Sequence, residues 1–340
     1  MTTKSYKCPS CGAGIHFKPA RGKFHCDYCL SEFLEEELQN KVENNSEDTL
    51  QSVNAYHCNS CGAEVVTDET TTATFCYYCH NPVIISSRLS GEFKPNKLIP
   101  FSVDKEKAKQ IFLSWAQNKR FIPRDFTSNS QLEKITGVYL PYWWADCTAD
   151  VHYVGEGRNI RVWRSMGREY TETKKYEILR EGQINLNNVE EVAFSKIDKN
   201  LLNGIAPYNT SQVKAFSMPY LSGFFAEQYD IAKDRVFPMM KNQVDRYSKS
   251  LIKESVNGYQ HVHNIRNNVD VSIREWHYTL LPAWILTYRY RGKTYVYAVN
   301  GQTGKSFGEL PLSRSRVLTT FGVISGITSI ALLLGGRFIW

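Results

Sequence analysis

Eight of the nine cysteines fall into four Cys-x-x-Cys pairs, and the pairs make two copies of one pattern. YKCPSCGAGIHFKPARGKFHCDYC and YHCNSCGAEVVTDETTTATFCYYC both read Cys-x2-Cys-x14-Cys-x2-Cys, offset by fifty residues. Tyr6/Tyr56, Ser10/Ser60, Gly12/Gly62, Ala13/Ala63 and Tyr28/Tyr78 match as well, so this is an internal repeat. Two residues between cysteines let both sulfurs of a tight turn face one ion. The fourteen-residue spacer then predicts a β-hairpin that returns with the second pair. Four thiolates close a tetrahedral site and leave no position for water or substrate, so the expected role is structural. The reading is two zinc ribbons, 1–34 and 55–90, each holding one structural Zn2+. Cys8, Cys11, Cys26 and Cys29 bind the first ion, and Cys58, Cys61, Cys76 and Cys79 the second. Iron in a rubredoxin-like site is the alternative. His16, His25, His57 and His80 are read as neighbours of the ligands, not ligands, and 35–54 as an acidic linker with a short helix.

Charge separates the ends of the chain. Residues 1–99 hold nine Lys/Arg against twelve Asp/Glu, while the remaining 241 residues carry a net +10. Each four-thiolate zinc site adds about −2. A segment this acidic is a poor electrostatic match for a phosphate backbone, which argues against a nucleic-acid partner. Lys18, Arg21 and Lys23 are the candidates for a basic ribbon face. The opening MTTKSYK has no signal-peptide pattern, so the cysteines are expected in a reducing compartment, binding metal and not forming disulfides.

From about residue 98 to 310 the composition predicts one α+β domain with a mostly antiparallel sheet. Ala108, Ile111, Phe112 and Trp115 are spaced for an amphipathic helix from Asp104 to about Lys119. A second helix is expected from Asp230 to about Glu254, started or kinked by Pro238. GVYLPYWWADCTADVHYVGEG reads as strand ending in turn glycines. Leu140-Pro141-Tyr142-Trp143 recurs as Leu281-Pro282-Ala283-Trp284, as a duplication of the domain would produce. The other reading is two similar strand starts. Gly301–Ser306 (GQTGKS) lacks the first glycine of a P-loop, Val299 standing in its place, and reads as a hairpin turn. His261, His263 and His277 are read as strand histidines and Cys147 as a buried free thiol. No catalytic constellation emerges, and the chain is not read as an enzyme.

Residues 317–336, VLTTFGVISGITSIALLLGG, contain nothing ionisable. Twenty residues reach about 30 Å as a helix, enough to cross a bilayer core. Lys305, Arg314 and Arg316 precede the run and only Arg337 follows it. The positive-inside rule then puts the N-terminal domains in the cytoplasm of a single-pass cell-membrane protein. Arg337 and Trp340 suit an interface, and Gly322 and Gly326 would let two such helices approach as a homo-oligomer. A basic domain beside anionic lipid headgroups is electrostatically favoured.

The ordered set of two CPxCG-type ribbons, PF-x-V-x4-A, LPYWW, MPYLSGF, LLPAW, NGQTGK and a final apolar helix resembles the YdjG-like proteins of Gram-positive bacteria. Asn59 departs from the pattern where the first ribbon has Pro9, and removes no ligand. The resemblance implies the eight cysteines as metal positions. It further implies a role in placing phage-shock (PspA-like) and SPFH-domain proteins at the membrane. Relatives also carry a primosomal helicase label, which the missing P-loop and DEAD-type box do not support. The expectation is therefore a membrane-anchored adapter for envelope-stress partners, with a zinc-ribbon nucleic-acid binder as the alternative.

Overall fold

The computed structural model describes residues 3–4, 6–39, 55–59, 63–76, 79–117, 119 and 121–336. The chain is α+β and its strands are mostly antiparallel. In the first cysteine segment β1 (Ile15–Lys18) and β2 (Lys23–Cys26) form the expected hairpin, with Glu32–Phe33 as a third short strand. Cross-strand partners share a face, so Phe17 and Phe24 point one way and His16 and His25 the other. The aromatic face is buried and the charged ends stay in water.

The second segment departs from the expected return hairpin. Ala55–His57 pairs with Glu64–Val66. β3 (Thr71–Phe75) does not join them. It pairs with β4 (Pro82–Ile85) beyond the last two cysteines, and with β8 of the central domain, defined below. Thr71, Thr72, Ala73 and Thr74 are all buried. Short uncharged and β-branched side chains suit a strand covered on both faces, which Lys18 and Lys23 forbid in the first hairpin. The other edge of β4 is covered by Thr3–Lys4. Of the acidic linker, only the helix Glu35–Gln39 lies within the described residues.

The central domain contains β5 (Lys97–Leu98), α1 (Lys105–Gln117), β6 (Thr136–Ser165), β7 (Arg168–Val192), α2 (Lys199–Ile205), β8 (Phe225–Glu227), α3 (Lys233–Ser255), β9 (His261–Tyr290) and β10 (Lys293–Asn300). β6 and β9 are thirty residues each and pair antiparallel, with Leu140 opposite Leu281. Around that pair the surroundings correspond. β8 runs parallel to β6 at Val138–Tyr139, and β5 runs parallel to β9 at Thr279–Leu280. β6 returns as β7 through Met166-Gly167, and β9 returns as β10 through Arg291-Gly292. All four turn residues have positive φ, as a type I′ hairpin turn requires. The two Leu-Pro motifs thus hold equivalent positions at mid-strand, not at strand starts. The Pro141 carbonyl accepts from Ala193 N at 3.0 Å and the Pro282 carbonyl from Gly301 N at 2.8 Å. Each proline sits where one neighbouring strand ends and the next begins, so its missing N–H removes no ladder bond.

Both expected helices form. Asp104 Oδ1 accepts Lys107 N at 2.7 Å at the start of α1, and Ala108, Phe112 and Ala116 are buried. α3 starts at Lys233 and keeps Pro238 in its second turn. It buries Val236, Met240, Val244, Ser248 and Ile252, one per turn, against β6, β7 and β9. Gly155 and Gly157 do not end a strand. A Cβ at Gly155 would meet Tyr153 Oη at 2.5 Å and one at Gly157 the Tyr259 ring at 2.5 Å, so close approach selects them. β6, β7 and β9 therefore continue as a three-stranded arm. Beyond α3 both faces of its tip are open, with Trp163 stacked on Tyr170.

Four of the sequence motifs converge on one aromatic cluster. Phe101 stacks on Phe224 at 4.1 Å between ring centroids and meets Trp284 at 5.2 Å and Tyr139 at 5.1 Å. Trp284 Nε1 donates to the Val103 carbonyl at 2.8 Å. A Cβ on Gly301 would lie 2.6 Å from Phe101. These motifs are used as packing. GQTGKS is a turn between β10 and the strand Ser306–Gly308, with Asn300 Oδ1 accepting from Gln302 N and Thr303 N. The last described element is α4 (Arg314–Gly336), a helix long and apolar enough to cross a membrane, none of whose apolar stretch is buried in the protein.

Candidate metal centres

The four expected sulfurs of the first segment come together. Cys8, Cys11, Cys26 and Cys29 place their Sγ atoms within 4.8 Å of one another. Cys8 Sγ is 3.4 Å from Cys29 Sγ, and Cys11 Sγ is 3.5 Å from Cys26 Sγ. A disulfide needs about 2.05 Å. Thiolates on a tetrahedral ion with metal–sulfur bonds of about 2.3 Å lie about 3.8 Å apart, so the donor set fits such an ion.

The backbone that aims the sulfurs is the same turn each time. Gly12 N donates to the Cys8 carbonyl at 2.9 Å and Cys8 N to the Ala13 carbonyl at 2.6 Å. Leu30 and Cys26 repeat this pair of bonds at 2.9 and 3.0 Å, the second ending on Ser31. In the second segment His80 and Cys76 repeat it at 2.9 Å each, ending on Asn81. Gly12, Leu30 and His80 take the left-handed position of the turn, with φ of 76°, 61° and 56°. Only the glycine announced that conformation in the sequence. His80 therefore serves the turn by its backbone.

Hydrogen bonds act unequally on the sulfurs: a backbone bond at Ala13 lowers the Cys11 pKa, but burial and the three neighbouring thiols outweigh it and push that thiol up to about 12. Ser10 N donates to Cys8 Sγ at 3.4 Å, and Cys29 Sγ lies 3.3 Å from Ser31 Oγ. Hydrogen bonding to the Ser31 side chain and backbone pushes the Cys29 thiol down to about 6, toward the thiolate a metal requires. His16 Nδ1 and His25 Nε2 face Asp27 at 3.4 and 3.5 Å instead of entering the cluster. Burial holds the His16 imidazole below its usual pKa, and Asp27 opposes that effect.

Cys58, Cys76 and Cys79 form the second cluster, again with sulfurs within 4.8 Å and with Cys58 Sγ 3.6 Å from Cys79 Sγ. Asn81 Nδ2 donates to Cys79 Sγ at 3.5 Å. Cys61 lies outside the described residues.

The remaining candidates separate. His261 and His263 are exposed on the arm, opposite Arg158 and Glu156, while His277 is buried opposite Trp144. Cys147 is fully buried, and burial followed by the Asp146 charge raises its pKa. Sequence reading missed a third grouping: Asp146, Glu275 and His277. Bulges in both neighbouring strands set Asp146 beside His277, with 3.7 Å from Asp146 Oδ2 to Nε2 and 3.6 Å from Glu275 Oε1 to Nδ1. Asp146 lies more than 120 positions before Glu275 and His277, so no local pattern signals the three together.

No protein-family model matches the chain, and no solved structure does. A curated relative does: the uncharacterized protein YdjG of Bacillus subtilis (strain 168), 32% identical over 341 residues, covering 98% of this chain and 99% of the relative. Since the likeness runs through both cysteine segments, the central domain and the apolar helix, the chain belongs to the YdjG family.

Proposed function

We propose that this chain is a single-pass, membrane-anchored cytoplasmic adapter, not an enzyme, whose two cysteine clusters each hold a structural zinc ion. The observation that carries the reading is α4. Its apolar side chains from Val317 to Leu333 have no protein to cover them, and that surface is stable only in lipid or against a partner. The all-thiolate donor sets favour zinc, and four protein ligands leave the ion no open position, so it would tie segments together.

Several features support docking as the output. Tyr28, Leu30 and Leu34 are more than half exposed beside the first cluster. A groove of about 380 Å3 separates the two cysteine segments, lined by His16, Asp27, Phe75 and His80 among others. The basic residues a nucleic-acid reading would use are occupied: Lys18 faces Asp27, and Arg21 and Lys23 face Glu32. In this reading the partners are membrane lipids and an SPFH-domain or PspA-like envelope-stress protein. Gly322 and Gly326, with nothing near them, offer a seam for a second α4.

The test is topology in cells that express the full chain. Carbonate washing should leave it in membranes. Protease added to intact spheroplasts should spare the cysteine segments, and protease added to inverted vesicles should remove them. Digestion from outside intact spheroplasts would refute the orientation, and release by carbonate would refute the anchor.

A further inference from the structure

The root of α4 is held by the central domain. Ser313 N donates to the Phe121 carbonyl at 2.7 Å, and Arg316 Nη1 donates to the Ile122 carbonyl at 2.8 Å. The β9–β10 hairpin tip straddles this root. On one side Lys293 and Tyr295 line a groove of about 800 Å3 with Leu312, Arg314 and Leu318. On the other, Tyr290 lines a groove of about 360 Å3 with Pro123, Arg316 and Thr319. Arg314 precedes the apolar run by three residues, or about 4.5 Å of helix rise, which is headgroup depth.

The charge around this root is predominantly positive, although Glu309 lines the first groove and Asp125 the second. Arg289, Arg291, Lys293 and Arg314 are exposed. Arg291 occupies a left-handed turn position at φ 51°, which sets it at the very tip. Its guanidinium lies over the Tyr290 ring at 5.4 Å, and Lys293 Nζ lies over the Tyr295 ring at 4.9 Å. The acids on this face are engaged: Asp125 Oδ2 accepts from Tyr288 Oη at 2.8 Å, and Glu309 pairs with Lys293 at 3.0 Å. Among the described residues Arg289, Arg291 and Arg314 have no acidic partner within ion-pair distance. The positive end of the α4 dipole lies at the same level.

We infer that this face is a docking surface for anionic phospholipid headgroups, in which the β9–β10 tip and the first turn of α4 grip the leaflet that α4 enters. The inference rests on the membrane reading above and adds a lipid class to it. Cations that share a groove with half-buried tyrosines and exposed leucines match a headgroup phosphate above an acyl chain. Fixing the tip at the surface would also set the tilt of the whole head, because β9 runs from that tip through the centre of the sheet.

The experiment uses the full chain in nanodiscs of equimolar phosphatidylcholine and phosphatidylglycerol, with native mass spectrometry of the lipid retained on release. Phosphatidylglycerol should exceed phosphatidylcholine by fivefold or more, and high salt during release should reduce the excess. Arg291→Gln and Arg314→Gln should each lower the ratio roughly fivefold. The charge-conserving Arg291→Lys and Arg314→Lys should retain it, as should Arg164→Gln at the opposite hairpin tip. Equal retention of the two lipids by a chain that enters the discs would overturn this inference and leave the anchor standing. Equal loss from Arg164→Gln would also overturn it, since only overall charge would then matter. A chain that does not enter the discs would overturn both readings.

Discussion

The two cysteine segments carry the same turns but are seated differently. The first keeps its own three-stranded sheet and packs its aromatic face into the main core, with Phe17 N donating to the Ser222 carbonyl at 3.0 Å. Phe17 and Phe24 lie 5.0 and 5.5 Å from the Tyr220 ring, and Ser222 Oγ donates to the Ile15 carbonyl at 2.5 Å. The second gives β3 and β4 to the main sheet, and Glu227 of β8 accepts from Thr70 and Thr71 hydroxyls at 2.7 and 3.3 Å. One repeat thus packs on the core with a sheet of its own, and the other is an edge of the main sheet. On the proposed adapter reading, a metal in the first would shape a docking module, and a metal in the second would hold part of the core in register.

The largest expected effect separates the two seats. A structural zinc contributes on the order of 10 kcal/mol where binding and folding are coupled, comparable to the whole stability of a domain. Cys76→Ser should therefore strip hydrogen-exchange protection from β3, β4 and β8 and lower Tm of the entire head. Cys26→Ser should unfold only the first segment and leave protection in β6 and β9 unchanged. Equal damage from both would end the distinction.

A smaller effect probes the seat of the first segment. Gly223 has φ +98°, and a Cβ there would come 2.9 Å from His16 Cβ. Gly223→Ala should cost about 1–3 kcal/mol through strain and lost contact, and should raise exchange in β1 and β2 without releasing metal. Glu190 supplies an internal reference in the central domain. Burial, and then the Glu191 charge, push its carboxyl up to about 7. The native state therefore holds this proton more tightly than the unfolded chain. Its contribution is greatest below about pH 4.5 and is lost as pH rises toward and past 7. Glu190→Gln should flatten that slope and gain on the order of 1–2 kcal/mol at pH 8. Both cysteine segments should report the change equally, since neither holds the group.

The features legible in the sequence were those encoded over short spans. Cysteine spacing located three pairs that close within the described residues, helical periodicity located α1 and α3, and uniform apolarity located α4. Pairing that depends on distant chain was not legible. TTATF has the composition of any short strand, and only β8, some 150 residues on, makes it a sheet edge. Gly155 and Gly157 imitated a turn because a glycine chosen for contact with Tyr153 or Tyr259 looks like one chosen for positive φ. Pro141 and Pro282 imitated strand starts because the handover between neighbouring strands, which makes them harmless, is a tertiary fact.

Elemental analysis of the full chain, purified from carbonate-washed membranes, tests the account most directly. It predicts two zinc ions per chain, falling to one in Cys26→Ser. Recovery of the chain only in the soluble fraction, metal-free protein, or iron in place of zinc would contradict it.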